Sequence, residues 1–302
     1  MPDSLQAAVF SSVRSLPMMS SAAVKVLTLL RDPNTDAASF ERAIRYDPSL
    51  TANILKMANS AYFGFNGKVG SIRQGVVFLG WNRLYQLLVA SSVHTVMEQT
   101  VAGYGLPKGE LWRHSVATAV ASENLMRQAG APVIEESFTA ALLHDVGKLV
   151  ISDFIVERLG PIEELILQGV PFEAAEREVL GIDHAEAGAL VLRNWSFPEP
   201  LVHAVRWHHS PDGSGSTSKV TDLVHVADIL CLRLGIGRSR DYLKFKIEES
   251  CLRRLRLEDE AFAATTETIQ KDAGNVLKSF NLDGPQETQT ENKEVRVTSD
   301  EE

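Results

Sequence analysis

The chain of 302 residues has few cysteines, few aromatic residues and no long apolar run. Its two cysteines, Cys231 and Cys251, are far from any CxxC spacing, which indicates structural thiols in a reducing compartment rather than a disulfide scaffold. No apolar run approaches the roughly 18 residues that a membrane-spanning helix requires. The N-terminal segment has neither the basic region nor the apolar core of a signal peptide. The sequence therefore predicts a cytoplasmic protein without a membrane role.

Basic residues are also fewer than acidic ones. The sequence has 30 Lys and Arg residues and 39 Asp and Glu residues, which gives a net charge of −9. Residues 283–302 contain seven acidic and two basic side chains, so this segment supplies −5 of the total. The remainder is only mildly acidic, which argues against binding of nucleic acid. Since residues 283–302 contain few apolar side chains, we expect them to form a disordered acidic tail.

Strand-like alternation is absent from residues 1–100, and helical periodicity prevails almost everywhere. The pattern predicts an all-α fold with two helical subdomains. The glycine-rich and proline-containing residues 103–107 are the best boundary, which places an N-terminal subdomain at 1–103 and a C-terminal subdomain at 104–282. The predicted helices of the second half cover residues 108–129, 134–155, 161–168, 172–180, 184–195, 198–209, 219–234, 241–255 and 258–280.

The most informative segment is residues 142–148, where His144 and Asp145 stand side by side among Leu, Val and Gly. Burying a carboxylate without a partner costs several kcal/mol or forces it to take up a proton. A metal ion removes that penalty, and neutral imidazole and carboxylate are both good metal ligands. For this pair alone, the alternative to a metal site is a buried histidine that is hydrogen-bonded within the core, next to an aspartate that caps a helix.

Further candidate ligands lie on separate predicted helices, each in largely apolar surroundings. They are Glu110, His114, His184, His208, His209 and Asp228. Glu110 and His114 are four positions apart, so they project from one helix face. The candidate ligands come from five different helices. Buried polar residues that each found a separate hydrogen-bond partner in the core would explain such a set poorly, so the sequence indicates a metal site.

The order His, His-Asp, His, His-His, Asp resembles the HD superfamily of metal-dependent phosphohydrolases, especially the branch that includes the HD-GYP phosphodiesterases. Roughly residues 10–235 resemble the HDOD family, a metal-dependent-hydrolase-related output domain. The stretches that carry this second resemblance are Leu16-Pro17, Asp47-Pro48-Ser49-Leu50-Thr51, Asn59-Ser60-Ala61-Tyr62-Phe63, Leu79-Gly80-Trp81-Asn82-Arg83, Leu111-Trp112-Arg113-His114-Ser115, Asp183-His184-Ala185-Glu186-Ala187-Gly188, Trp195-Ser196-Phe197-Pro198 and His208-His209. The resemblance implies an HD-domain-like multi-helical bundle preceded by an N-terminal helical subdomain.

The resemblance also implies a role for each candidate residue. The four ligands of the HD metal site correspond to His114, His144, Asp145 and Asp228. The ligands of a second ion correspond to His184, His208 and His209. Asp145 is placed to bridge the two ions, and Glu110 stands where some members bind a third. Lys148 matches a lysine that contacts substrate phosphate, so Lys148 and Asp145 are the expected catalytic residues.

Imidazole and carboxylate ligands without thiolate favour iron or manganese, with nickel or zinc as alternatives. Six or seven nitrogen and oxygen ligands suit an octahedral pair of divalent transition metal ions better than one tetrahedral zinc. Two such ions would activate water and stabilise the charge of an in-line attack on phosphorus.

Two functions follow from the resemblance. Many HDOD proteins are thought to have lost part of the ligand set and to act in signalling without catalysis, whereas this chain retains the set. It is expected to be a signal-transduction output protein that retains the metal centre and acts through signalling proteins or a phosphorylated small molecule. The alternative is an active metal-dependent phosphohydrolase acting on a nucleotide or another phosphoester. Cyclic di-GMP is disfavoured, because residues 210–216 lack the Tyr-Pro that follows His-His in HD-GYP enzymes.

Overall fold

The computed structural model describes residues 2–16, 25–26, 29, 36–44, 47–63, 68–132, 134–237, 239–240, 246–257 and 259–278. These ranges contain α-helices and no β-strand, apart from one isolated bridge between Val101 and Leu106, so the all-α prediction is confirmed. No helix in the described ranges combines the length and apolar character needed to cross a bilayer. Residues 17–24, 27–28 and 30–35 of the predicted N-terminal subdomain and all of the predicted tail over 283–302 lie outside the described residues.

The described ranges contain fourteen α-helices. In chain order they are α1 (Pro2–Ser15), α2 (Ala37–Ile44), α3 (Pro48–Ala58), α4 (Ile72–Met97), α5 (Glu110–Gln128), α6 (Glu135–Leu143), α7 (Lys148–Glu157), α8 (Leu159–Leu167), α9 (Phe172–Leu180), α10 (His184–Asn194), α11 (Glu199–Trp207), α12 (Lys219–Arg233), α13 (Glu249–Leu255) and α14 (Asp259–Lys278). Single 3₁₀ turns occur at Ala61–Phe63, Ala102–Tyr104 and Pro211–Ser214.

Local sequence signals set the start of several helices. The side chain of Asp47 accepts a hydrogen bond from the Leu50 amide at 2.9 Å, and Pro48 is the first residue of α3. Asp183 caps α10 in the same way, accepting from the Glu186 amide at 2.6 Å. Asp183 immediately precedes His184. This cap therefore makes His184 the first residue of α10 and fixes the position of its backbone.

The predicted continuous helix over residues 134–155 is wrong, because a turn at residues 144–147 separates α6 from α7. At this turn the chain approaches the start of α10 so closely that a Cβ on Gly147 would lie 1.9 Å from the carbonyl oxygen of His184. The break therefore follows from a contact between distant segments, and it puts His144 and Asp145 in a turn beside α10. Of the helix expected over 241–255, residues 241–245 lie outside the described residues, and the described helix spans Glu249–Leu255.

One continuous cluster of buried apolar side chains runs through both halves of the described chain. Helix α5 packs against α6, α12 and α14, while α11 packs against α6, α10 and α12. Helix α1, from the N-terminal half, packs against α7 and α10 of the C-terminal half. The division into subdomains at residue 103 stays a prediction.

A buried carboxylate on α5 links that helix to the N-terminal half. Glu123 is fully buried, and Arg83 on α4 donates to its two oxygens at 2.7 and 2.8 Å. Gln86 donates at 3.0 Å, Arg127 at 2.9 Å and the Tyr62 hydroxyl at 2.8 Å. Burial, together with the Glu123 charge, raises the pKa of Tyr62 well above its usual value. Four donors thus compensate one buried charge, which makes this contact between the halves geometrically specific.

Candidate metal centre

Five elements of the C-terminal half bring seven of the predicted ligands together. The ligands are His114 on α5, His144 and Asp145 in the turn after α6, His184 at the start of α10, His208 and His209 after α11, and Asp228 on α12. All are buried except His209, which is partly exposed. Their ligand atoms form three groups, each within 4.8 Å, that could hold a metal ion. These groups are His114 with His144 and Asp145, His144 with His208 and Asp228, and His184 with His208 and His209.

The first side of the cluster is formed by two imidazoles and two carboxylates. His114 Nε2 lies 3.0 Å from Oδ1 of Asp228, and His144 Nε2 lies 3.7 Å from the same oxygen. Oδ2 of Asp145 lies 3.3 Å from His144 Nε2 and 3.7 Å from His114 Nε2. This is a compact nitrogen and oxygen donor set of the kind that first-row divalent ions accept.

The second side is formed around the other oxygen of Asp145. Oδ1 lies 3.5 Å from His184 Nε2 and 3.9 Å from His208 Nε2. His184 Nε2 lies 2.7 Å from His209 Nε2. Asp145 therefore directs one oxygen toward each group of imidazoles.

Backbone carbonyls fix the orientation of three of the histidines. The contacts are His114 Nδ1 to the Ile236 carbonyl at 3.1 Å, His144 Nδ1 to the Ala141 carbonyl at 2.7 Å, and His208 Nδ1 to the Val205 carbonyl at 2.7 Å. A carbonyl oxygen only accepts, so each Nδ1 must carry the hydrogen. In the neutral ring the lone pair is then on Nε2, which is the atom directed into the cluster.

Four atoms at the centre of the cluster are buried and make no hydrogen bond within the described structure. They are the Nε2 atoms of His114, His144 and His208 and the Oδ1 atom of Asp145. A buried polar atom without a partner costs about 1–3 kcal/mol. Isolated cases occur in native proteins, but four converging on one point fit a donor set arranged for a cation. The residues present therefore suit divalent metal ions.

Glu176, which sequence reasoning missed, holds His184. Its side chain is fully buried, and Oε2 accepts from the His184 amide at 2.9 Å and from Nδ1 at 2.7 Å. Its Oε1 accepts from the hydroxyl of Tyr104. The signal was available, because Phe172, Glu176 and Leu180 recur at four-residue spacing and all three are buried. An acid on such an apolar face requires a partner.

Two of the predicted residues differ from the others in their surroundings. Lys148 is only 4% exposed, its Nζ lies 2.8 Å from Oδ2 of Asp145, and it sits 5.1 Å from the centre of the Tyr104 ring. It is therefore an interior cation of the cluster. Glu110 is partly exposed, contacts Arg113 at 3.3 Å, and belongs to none of the three groups of ligand atoms. The structure pairs Glu110 with Arg113, and its role as a ligand stays a prediction.

Burial and charge act in opposite directions on two of the imidazoles. Burial alone would lower the pKa of His144, but the Asp145 and Asp228 carboxylates raise it to about 10. Burial likewise opposes protonation of His184, yet the Glu176 carboxylate raises its pKa to about 9. Without metal, the carboxylates of the cluster are therefore balanced by protons on these two rings.

The pKa values of the adjacent histidines, His208 and His209, are lowered instead of raised. Burial and the neighbouring imidazolium groups of His144 and His184 lower the pKa of His208 to about 3. Burial and the His208 ring also hold the pKa of His209 well below its usual value. Both rings are therefore neutral near pH 7, which is the form that binds a metal ion.

Comparison with known proteins agrees with this architecture. Residues 16–211 match the HDOD domain. A protein of Treponema pallidum (strain Nichols) is 25% identical over 208 residues, which are 68% of this chain and 40% of that relative. The chain thus spans well under two thirds of this curated relative.

Solved structures show the same fold. An HDOD domain protein with unknown function from Geobacter sulfurreducens is 22% identical, with a TM-score of 0.71 over 90% of this chain and 98% of that one. A candidate phosphohydrolase from Shewanella amazonensis SB2B is 24% identical, with a TM-score of 0.69 over 90% of this chain and 98% of that one. The match over residues 16–211 covers more than half of the sequence. This chain belongs to the HDOD domain family.

Proposed function

We propose that this chain is a signal-transduction output protein of the HDOD type that holds an HD-type centre of two divalent transition metal ions. The observation that carries the proposal is the set of buried, unsatisfied atoms on His114, His144, Asp145 and His208, all directed to one cluster. Iron or manganese is favoured, with nickel or zinc as alternatives, because the donors are nitrogen and oxygen without thiolate.

The positions of the donors support two ions. His114 and His144 lie near Oδ2 of Asp145, whereas His184 and His208 face its Oδ1. When bound, a pair of divalent ions supplies Lewis acidity and a water activated for attack on a phosphoester. The side chains of the cluster would hold this pair, and Asp145 would be a ligand of both ions.

The surroundings of the cluster favour a binding and relay role. Every ligand except His209 is buried, and the Lys148 ammonium is held between Asp145 and the Tyr104 ring. A cation in that position supports Asp145 and is less available to a substrate phosphate. The expected partners are signalling proteins or a phosphorylated small molecule that reaches the centre on the His209 side.

Metal content followed by activity measurements tests this proposal. Purified protein loaded with Fe²⁺ or Mn²⁺ and then desalted should retain metal, and His144→Ala should retain much less. A panel of nucleotides and other phosphoesters should show no metal-dependent turnover by the wild-type protein. Absence of retained metal would contradict the proposal.

A metal-dependent phosphohydrolase acting on a nucleotide or another phosphoester is the second candidate. The observation that favours it is the complete set of seven ligand residues together with a lysine 2.8 Å from Asp145. In this role Asp145 would hold the ions, and Lys148 would neutralise charge on a phosphoryl oxygen as a point charge. Metal-dependent turnover that His144→Ala abolishes would establish this function in place of the first. Cyclic di-GMP stays disfavoured as the substrate because of residues 210–216.

A further inference from the structure

A second feature, apart from the candidate metal centre, is a pocket of about 170 Å³ between α4, α6 and α11. Its lining combines aromatic, apolar and acidic side chains, and none of them is a predicted ligand. The lining residues are Trp81, Asn82, Tyr85, Glu135, Glu136, Pro198 and Leu201. Trp81 and Asn82 belong to one of the stretches that carry the family resemblance, and the metal centre gives them no role.

The aromatic side of this pocket is held in place. Helix α4 is kinked at Gly80, whose φ of 80° and ψ of 169° are accessible to glycine almost alone. The kink immediately precedes Trp81, whose ring packs edge-to-face on Phe40 with centroids 5.6 Å apart. Trp81 is nevertheless only partly buried, so part of a fixed ring lines the pocket. A surface already ordered in this way pays little conformational entropy when it is covered.

The other side of the pocket is acidic. Glu135 and Glu136 are exposed in the first turn of α6, and neither forms an ion pair within the described ranges. The helix dipole accounts for acids at this position. It does not account for a partly exposed tryptophan and a proline beside them. The combination of carboxylates with Trp81 and Tyr85 is complementary to a cation with an apolar stem.

We propose that this pocket binds a segment of a partner protein in which Lys or Arg stands next to an apolar side chain. The cation would meet Glu135 and Glu136, and its methylene stem would lie over the aromatic rings. The neighbouring apolar side chain would cover Pro198 and Leu201. The exposed amide of Asn82 can both donate to and accept from the backbone of an extended segment. The residues before the predicted tail carry a net charge of −4, which favours the approach of a basic partner.

The pocket is connected to the metal centre by two helices. Helix α6 begins at Glu135 and ends directly before His144, and α11 begins at Glu199, next to Pro198, and ends directly before His208. A helix of nine residues is about 13 Å long, so the pocket and the ligands lie at opposite ends of the same two short helices. An occupant that shifts these helix starts would alter the ligand geometry. This coupling rests on the proposed function, whereas binding in the pocket does not.

Selection of peptides displayed on phage against the whole chain tests the binding. Enriched peptides should share Lys or Arg beside Leu, Ile, Phe or Trp. A synthetic peptide of the enriched sequence should bind the double variant Glu135→Gln and Glu136→Gln about tenfold more weakly than the wild type. The matched control is Glu163→Gln with Glu164→Gln, an exposed acidic pair on α8, which should leave the Kd unchanged.

A second variant, Asn82→Ala, removes an exposed side chain without changing charge and should weaken the same peptide several-fold. Equal melting temperatures would establish that each variant is folded. Enrichment of acidic peptides, absence of enrichment, or equal affinity for the wild type and the Glu135 and Glu136 variant would overturn the proposal.

The coupling has its own measurement, the affinity of the wild-type protein for Mn²⁺ with and without saturating peptide. A change of several-fold would support the coupling. No change would overturn the coupling and leave the docking site in place. If the chain binds peptide but no metal, the proposed function fails and the docking proposal stands.

Discussion

The ammonium of Lys148 lies 2.8 Å from Oδ2 of Asp145, the oxygen that is also 3.3 Å from His144 Nε2. The lysine therefore neutralises the carboxylate that stands between the two groups of imidazoles. Its charge and that of the His144 proton lower the pKa of Asp145 well below the usual value, although burial alone would raise it. The Asp145 charge is thus paired with cations before any metal binds.

Replacing this lysine should destabilise the metal-free protein more than the metal-bound protein. In Lys148→Met the Asp145 charge loses a buried partner, a change that costs about 3–5 kcal/mol in comparable sites. Bound divalent ions would compensate part of that loss. Thermal unfolding with chelator should therefore show a larger drop in Tm than unfolding with saturating Mn²⁺. Equal drops under both conditions would argue against ions at Asp145.

Removal of the Glu176 carboxylate should weaken metal binding without abolishing it. Glu176→Gln loses the negative charge that supports His184, and changes of this kind typically reduce metal affinity by about 10–100-fold. Competition with a chromogenic chelator measures the affinity. Glu178→Gln, at an exposed position of the same helix, is the control and should match the wild type. Equal metal affinities for the two variants would contradict the positioning role of Glu176.

Metal binding should release protons, and affinity should rise with pH. The raised pKa values of His144, about 10, and His184, about 9, mean that both rings are protonated near pH 7 and must lose a proton to bind metal. His208, with a pKa of about 3, is already neutral. Calorimetry in buffers of different ionisation enthalpy should detect this proton release at neutral pH. Affinity independent of pH between about 6 and 9 would contradict it.

The turn that carries His144 and Asp145 should not tolerate a side chain at Gly147. A Cβ there would lie 1.9 Å from the His184 carbonyl oxygen, so α10 would have to move away from the turn. Gly147→Ala should lower the free energy of unfolding by about 3 kcal/mol or more and weaken metal binding. Gly160→Ala is the control, because nothing lies within 4 Å of the added Cβ. It should be neutral or slightly stabilising. Equal free energies of unfolding for the two variants would contradict this prediction.

The clustering of the candidate ligands could be predicted because His and Asp are costly among apolar residues, and that cost is visible in the sequence around residues 142–148 and 226–230. The helical class was equally visible in the apolar periodicity. The turn at residues 144–147 could not be predicted, since it depends on contact with His184, a residue distant in sequence. The burial of Lys148 could not be predicted for the same reason, since it depends on the Tyr104 ring. Glu176 was missed although its place on an apolar helix face marked it.

The most direct test of the account is anomalous X-ray diffraction from crystals of the protein loaded with Mn²⁺ or Fe²⁺. The account predicts two anomalous peaks, one on each side of the Asp145 carboxylate. The first should lie within coordination distance of His114, His144 and Asp228, and the second of His184, His208 and His209. A cluster without anomalous density in loaded crystals, or a single ion that leaves Asp145 unbound, would contradict the central claim.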